Sequence, residues 1–255
     1  MSVAHLPQIS LHYDWRPGDG VPLVLLHEMG GSLQSWDLVR ALLPGRASLA
    51  LDLRGFGLSE KPPGPVTIQA HVGDVVALLD QLGIRRAHLA GCAVGGGVAI
   101  ATAAALGERA TALTALAPAT GVPAERREAV LGLARMLEQT GIRGFLEEDT
   151  IPKAWPSGTF DRSGPGYATF LATQLSTPPA SLAATYRMLA DLDLSGALAE
   201  LNCPTTIVAG THDMARPPEL LRALAGTIPA AAFREIDSGH FMALQTPALV
   251  ADLLR

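Results

Sequence analysis

Residues 88–100, HLAGCAVGGGVAI, have the pattern of a buried strand, a sharp turn and the start of a helix made of small residues. Glycines stand on both sides of the turn, at Gly91 and Gly95, where side chains would clash with a tightly folded backbone. Chains of this pattern normally present a nucleophilic serine, cysteine or aspartate from the middle of the turn. The middle residue here is Ala93, whose methyl group cannot attack a substrate.

Further groups suited to chemistry follow other predicted strands. Asp213 lies in AGTHDMARPP and His240 lies in DSGHFMALQTP. A histidine can take up and return a proton at neutral pH because its ordinary pKa is about 6.5. The small residues of LLHEMGGS allow the backbone N–H of Met29 to point towards a developing oxyanion. We expect the glycine-rich loop DLRGFGLSEKP, residues 52–62, to shape the site without taking part in the chemistry.

The elements that must position these groups alternate between short apolar strands and longer helices. This alternation predicts an α/β fold with a mostly parallel, twisted sheet flanked by helices. The predicted strands are ISLHYDW, VPLVLLH, ASLALDL, RAHLAG, ALTALAP, PTTIVAG and AAFREI, and ALVADLL is a predicted closing helix. The spacing in TIQAHVGDVVALLDQLG predicts an amphipathic helix. Its apolar face consists of Ile68, Val72, Val75, Val76, Leu79 and Leu82.

The alternation stops between residues 121 and 200, where helical stretches such as AERREAVLGLARMLEQTG surround IPKAWPSGTFDRSGPG. Ligands of such sheets bind at the carboxyl ends of parallel strands, and this insertion leaves from one of those ends. We therefore predict a core formed by residues 1–120 and 201–255, with a helical cap at 121–200. The alternative is a peripheral helical decoration that has no part in binding.

In their order along the chain, these motifs resemble the α/β-hydrolase family, and within it the 3-oxoadipate enol-lactonases and related small-metabolite esterases. The resemblance covers essentially the whole chain and includes the family's order of nucleophile, acid and histidine, here Ala93, Asp213 and His240. It implies that His240 is the general base and that Asp213 fixes its tautomer and stabilises the imidazolium. It also implies an oxyanion hole formed by the backbone N–H groups of Met29 and Val94.

Three positions depart from the family pattern. Ala93 replaces the nucleophile, Glu28 replaces a glycine of the oxyanion turn, and Cys92 stands where a histidine is common. Either Ala93 is native, so that the histidine–aspartate pair activates water directly, or it is a serine-to-alanine change in a serine hydrolase. Cys92 is a poor replacement nucleophile, because a turn centred on it would need a glycine in place of Val94. We predict that Cys92 is a buried structural cysteine.

Two residues near the oxyanion turn are candidates for the substrate pocket. Glu28 is either an additional acid or base, or the anchor of its own loop. Trp36 either lines the pocket or packs the following helix against the sheet. The resemblance to enol-lactonases implies a small substrate that carries carboxylates.

Composition limits the remaining classes of partner. The 255 residues include 24 acidic and 19 basic ones, a net charge of −5, which argues against nucleic acid or a membrane surface as partner. The chain has two cysteines, no secretory signal pattern and no metal-ligand spacing among its histidines. We therefore expect a cytoplasmic protein that acts on a small molecule without a metal or organic cofactor. The oligomeric state stays open.

Three functions are compatible with these residues. The first is hydrolysis of an ester, lactone or related acyl bond. The second is a lyase, cyclase or cofactor-free oxygenase reaction on the same fold, in which His240 only moves protons. The third is a catalytically dead binding protein that keeps the pocket. The presence of both Asp213 and His240 argues against the third, because a receptor has little use for an oriented base.

Overall fold

The computed structural model describes residues 1–255 and contains one eight-stranded sheet with the strand order β1-β2-β4-β3-β5-β6-β7-β8. The strands are β1 (Ser2–Leu6), β2 (Ile9–Arg16), β3 (Asp19–Leu26), β4 (Arg46–Leu51), β5 (Ala87–Cys92), β6 (Ala110–Leu116), β7 (Thr205–Gly210) and β8 (Ala232–Ile236). Strand β2 is antiparallel to both of its neighbours, and every other pair is parallel. The predicted α/β class with a mostly parallel sheet is therefore confirmed.

Twelve α-helical segments accompany the sheet. They are α1 (Asp37–Ala41), α2 (Ile68–Gln81), α3 (Val94–Leu106), α4 (Arg127–Thr140), α5 (Arg143–Phe145), α6 (Ile151–Ala154), α7 (Pro165–Ser176), α8 (Pro179–Ala190), α9 (Ser195–Ala199), α10 (Pro218–Gly226), α11 (Met242–Gln245) and α12 (Pro247–Leu254). Short 3₁₀ segments lie at Leu33–Trp36, Gly107–Arg109 and Ala124–Arg126, and one π-helical turn lies at Leu146–Thr150. Helices cover both faces of the sheet, so residues 23–26 in the middle of it are buried without alternation.

The seven predicted strands are all present, but β1 is an eighth strand that the sequence pattern did not indicate. This strand forms a hairpin with β2 at the edge of the sheet, and Ala4 is its one buried residue. An edge strand that buries so little carries almost no hydrophobic periodicity, which explains why it was missed.

The chain between β6 and β7 is helical, and we call residues 121–200 the cap. Within it α4 packs against α8. Hydrogen bonds tie the cap to the segments that follow β7 and β8: the side-chain amide of Gln245, in α11, donates to the carbonyl of Ala154 (2.9 Å), and the backbone N–H of Met214 donates to the carbonyl of Lys153 (3.3 Å). The cap is therefore fastened at the carboxyl end of the sheet.

The turn between β5 and α3 consists of Ala93 alone, with φ 51° and ψ −114°. A Cβ atom added to Gly91 would lie 2.1 Å from the carbonyl oxygen of Gly95, and one added to Gly95 would lie 2.3 Å from that of Leu26. The predicted need for glycine on both sides of the turn is thus confirmed. Ala93 itself is held in a left-handed conformation that an L-residue with a Cβ rarely adopts.

Helix α2 buries a face that differs in part from its predicted apolar face. Its buried residues are Ile68, His71, Asp74, Val75, Leu78 and Leu79. Asp74 accepts two hydrogen bonds from Arg54 (2.7 and 2.6 Å), so its charge is compensated. His71 is fully buried, and neither ring nitrogen has a hydrogen-bond partner. Burial lowers the pKa of His71 to about 3, and the positive charge of Arg54 acts in the same direction.

The burial of His71 predicts an acid-sensitive fold. Between about pH 6.5 and pH 3 the unfolded chain binds a proton at His71 that the folded chain does not, so the free energy of unfolding decreases as the pH falls. We expect His71→Leu to reduce this dependence by up to about 1.4 kcal/mol per pH unit in urea unfolding measured between pH 6.5 and pH 5. His5→Leu, at an exposed position, is the control. Parallel stability curves for the wild type and His71→Leu would contradict the prediction.

The conformation of Ala93 predicts an unusual effect of glycine. Backbone strain of this kind destabilises the folded state by on the order of 1–3 kcal/mol. Glycine would relieve it, and that gain exceeds the roughly 0.5–1 kcal/mol of stability that glycine costs by raising the conformational entropy of the unfolded chain. We therefore expect Ala93→Gly to raise the free energy of unfolding by about 1 kcal/mol. Ala172→Gly, at an exposed position inside α7, should lower it by a similar amount. Equal destabilisation by both substitutions in chemical denaturation would refute the presence of strain at Ala93.

Candidate active site

The loops that follow β7 and β8 bring Asp213 and His240 together. Asp213 Oδ2 lies 2.7 Å from His240 Nδ1, and the side chain of Asp213 is fully buried. A carboxylate only accepts hydrogen bonds, so His240 Nδ1 carries the proton and Nε2 is left as the basic nitrogen. Asp213 Oδ1 accepts the backbone N–H groups of Ala215 and Arg216, at 2.8 Å each. The carboxylate thus orients the imidazole while being fixed by its own loop.

His240 lies next to the β5–α3 turn. The thiol of Cys92 donates to the carbonyl oxygen of His240 (3.4 Å), and Ala93 and His240 line the same cavity. Burial raises the pKa of the Cys92 thiol well above its usual range, and the nearby carboxylates of Glu28 and Asp213 raise it further. The cysteine therefore stays a neutral thiol, as expected of a structural residue.

Met29 and Val94 line this cavity as well. Neither backbone N–H donates a hydrogen bond within the protein, and Val94 is the first residue of α3. Free N–H groups at a helix N-terminus favour negative charge, so the pair is suited to stabilise an oxyanion. The cap holds the Met29 turn in place, because the side-chain amide of Gln174 donates to Met29 O (2.9 Å) and the hydroxyl of Thr177 donates to Gly30 O (3.2 Å).

The loop at residues 52–62 supports the same turn from the other side. Asp52 Oδ1 accepts the backbone N–H of Leu33 (2.7 Å), and Oδ2 accepts that of Leu58 (2.7 Å). Oδ2 also lies 2.8 Å from His12 Nδ1, and both side chains are buried. These contacts lie within the loop or join it to strand β2 and to the 3₁₀ segment at Leu33–Trp36, so we assign this loop a structural part, in agreement with the sequence analysis.

Glu28 lines the cavity, but its carboxylate is engaged. Its Oε1 accepts a hydrogen bond from the hydroxyl of Ser35 (2.8 Å), and only 2% of the residue is exposed. A Cβ added to Gly31 would lie 2.5 Å from the same oxygen, so Glu28 fills the space beneath its own turn. These contacts favour the interpretation that Glu28 anchors the loop.

The structure corrects the assignment of Trp36 to the substrate pocket. Its side chain is fully buried in the hydrophobic core and does not line the cavity. Ser32 caps the short 3₁₀ segment by accepting the backbone N–H of Gln34 (3.2 Å), and the segment that follows turns Trp36 into the core. The second interpretation of Trp36, as a packing residue, is therefore the better one.

The cavity beside Ala93 and His240 has a volume of about 190 Å³. Its cap side is mostly apolar: it includes Leu137, Ile142, Phe145, Ala154, Leu182, Tyr186 and Leu189, and the polar residues there are Asp149, Thr150, Lys153 and Gln174. Sequence reasoning missed Tyr186 and Arg216, although Arg216 follows Asp213 by only three positions in THDMARPP. A larger cavity of about 650 Å³ lies between residues 64–69 and α8, but it contains none of the candidate catalytic residues.

No group of three or more histidine, cysteine, aspartate or glutamate side chains is arranged to hold a metal ion. None of the helices has the length and apolar composition needed to span a membrane.

Comparison with known proteins agrees with the observed fold. The sequence profile of the α/β hydrolase fold family matches residues 21–247. The RutD protein of Azorhizobium caulinodans, named for an inferred carbamate hydrolase activity, is 27% identical over 263 aligned positions that cover 100% of this chain and 97% of that protein. The enol-lactonase from Burkholderia xenovorans LB400 has a TM-score of 0.89 and 26% identity, covering 99% of this chain and 98% of that one.

A thermophilic esterase from Thermogutta terrifontis, determined with malate bound, has a TM-score of 0.88 and 31% identity. The aligned region covers 99% of this chain and 94% of the esterase chain. Both the family match and these full-length relatives agree with a mostly parallel sheet flanked by helices. The chain therefore belongs to the α/β-hydrolase family and is an α/β-fold hydrolase.

Proposed function

We propose that this protein hydrolyses an ester, lactone or related acyl bond, such as a carbamate, in a small metabolite. The observation that carries the proposal is the oriented imidazole of His240, held by Asp213 at 2.7 Å on the wall of a cavity shared with two free backbone N–H groups. A base beside an oxyanion hole suits attack on a carbonyl carbon. Relatives named as an enol-lactonase, an esterase and a carbamate hydrolase support this reaction class.

With alanine at position 93, water is the nucleophile. Nε2 of His240 removes a proton from a water molecule beside the Ala93 methyl group while the water oxygen bonds to the carbonyl carbon. The negative charge that develops on the carbonyl oxygen is stabilised by the N–H groups of Met29 and Val94. The imidazolium, stabilised by Asp213, then gives its proton to the leaving oxygen or nitrogen as the acyl bond breaks. Water is consumed, and no covalent acyl-enzyme forms.

The cavity restricts the substrate. A volume of about 190 Å³ lies below the roughly 300–1,000 Å³ typical of pockets for drug-sized ligands, so the acyl group is small. The apolar cap wall favours a short hydrocarbon portion. The resemblance to enol-lactonases and the malate bound to the Thermogutta esterase support a substrate that carries a carboxylate.

The reaction predicts a strong dependence on His240. With p-nitrophenyl acetate and γ-butyrolactone as substrates, we expect the wild type to release product and His240→Ala to lose about 10²- to 10⁴-fold in turnover, because general-base catalysis contributes roughly that factor. His212→Ala is the matched control, since His212 is a partly exposed neighbour of the acid and does not line the cavity. Equal turnover of the wild type and His240→Ala would refute the proposal.

The variant Ala93→Ser distinguishes the two explanations of the alanine. If water is the native nucleophile, we expect the serine variant to be no faster than the wild type and to give no burst of p-nitrophenol. A serine hydrolase disabled at this position would instead gain several orders of magnitude, since loss of such a nucleophile removes on the order of 10⁶ in turnover. That gain, with a burst, would refute direct attack by water but leave the hydrolase assignment intact.

A further inference from the structure

Arg216 is a charged residue on the wall of the catalytic cavity that has no partner in the protein. Its backbone N–H donates to Asp213, but its guanidinium makes neither a hydrogen bond nor an ion pair with another residue. The other charged groups of the cavity wall are engaged: Lys153 pairs with Asp149, and the carboxylate of Glu28 accepts from a serine hydroxyl. Arg216 therefore brings to the cavity wall a positive charge that no side chain binds directly.

The position of Arg216 is fixed relative to the candidate base. One carboxylate, Asp213, accepts the backbone N–H of Arg216 through Oδ1 (2.8 Å) and binds His240 Nδ1 through Oδ2 (2.7 Å). The same loop is joined to the cap by the hydrogen bond from Met214 N to Lys153 O (3.3 Å). Arg216 thus lies where the acid loop meets the cap, on the wall of a cavity that His240 lines as well.

The surroundings make this guanidinium receptive to an anion. The residue is half-buried, and burial lowers the pKa of Arg216 while the Asp213 carboxylate partly opposes that shift. Arginine nevertheless stays protonated at any physiological pH. An unpaired cation in a mostly apolar cavity is unfavourable until a ligand compensates it, and the planar guanidinium matches a carboxylate through two parallel hydrogen bonds. Attraction between the two charges is stronger there than in bulk water.

We propose that Arg216 binds a carboxylate of the substrate and is the residue that selects anionic over neutral substrates. This inference rests on the proposed hydrolysis. The substrate class is a small ester or lactone that carries one free carboxylate a few carbon atoms from the bond that is cleaved. With that carboxylate at Arg216, the reacting carbonyl group is directed towards His240 and the N–H groups of Met29 and Val94.

The test uses ligands that cannot be hydrolysed. The keto acid 5-oxohexanoate and the neutral diketone 2,6-heptanedione have nearly the same shape. They differ only at one end, where the diketone has an acetyl group in place of the carboxylate. We expect isothermal titration calorimetry to show that Arg216→Met weakens binding of 5-oxohexanoate about 10- to 100-fold, the usual range for loss of a charge-assisted hydrogen bond, and leaves binding of the diketone unchanged. Arg216→Lys should retain part of the selectivity, because it keeps the charge without the planar fork.

Arg126→Met is the matched control, because Arg126 is an exposed arginine of the cap that does not line the cavity. It removes the same charge and should leave both affinities unchanged. Three results would each overturn the inference: equal affinity of the wild type for both ligands, equal weakening of both ligands by Arg216→Met, or the same effect from Arg126→Met. Since these ligands need no turnover, Arg216-dependent selectivity without ester hydrolysis would refute only the proposed function, and hydrolysis without selectivity would refute only the role of Arg216.

Discussion

The carboxylate of Asp213 makes three hydrogen bonds on which the geometry of the candidate site depends. It accepts from Nδ1 of His240 and from the backbone N–H groups of Ala215 and Arg216. Because the side chain is fully buried, water does not compete for these bonds. The same group therefore sets the tautomer of the imidazole and fixes the loop that places Arg216 on the cavity wall.

The turn at Ala93 keeps a demanding conformation even though its side chain cannot act as a nucleophile. The surrounding backbone imposes this conformation: Ala93 N–H donates to Leu116 O (2.9 Å), and Ala93 O accepts from the N–H of Ala119 (2.8 Å). Gly91 and Gly95 lie so close to neighbouring carbonyl groups that the backbone on either side of Ala93 has no space to shift. The free N–H of Val94 follows from the same turn, so this donor on the cavity wall does not depend on the side chain at position 93.

The cap forms part of the cavity wall and also holds the turn that carries Met29 in place. Gln174 and Thr177 bind carbonyl groups of the turn that carries Met29, while Asp52 binds that turn from the side of the sheet. A short loop fixed from two sides loses little freedom when a ligand arrives, which favours stabilisation of charge by groups already in place. The apolar face of the cap also lowers the local dielectric, so the few charged groups in the cavity act more strongly.

The sequence by itself determined the alternation of strands and helices, the glycine-bounded turn at Ala93 and the loop positions of Asp213 and His240. These features are readable because they depend on local periodicity and on contacts within a few residues. Strand β1, the inward turn of Trp36, the burial of His71 and the unpartnered guanidinium of Arg216 were decided only by the tertiary structure. Each depends on which distant segment packs against the residue, and that packing follows from the assembled sheet and cap. Periodicity along one segment does not encode it.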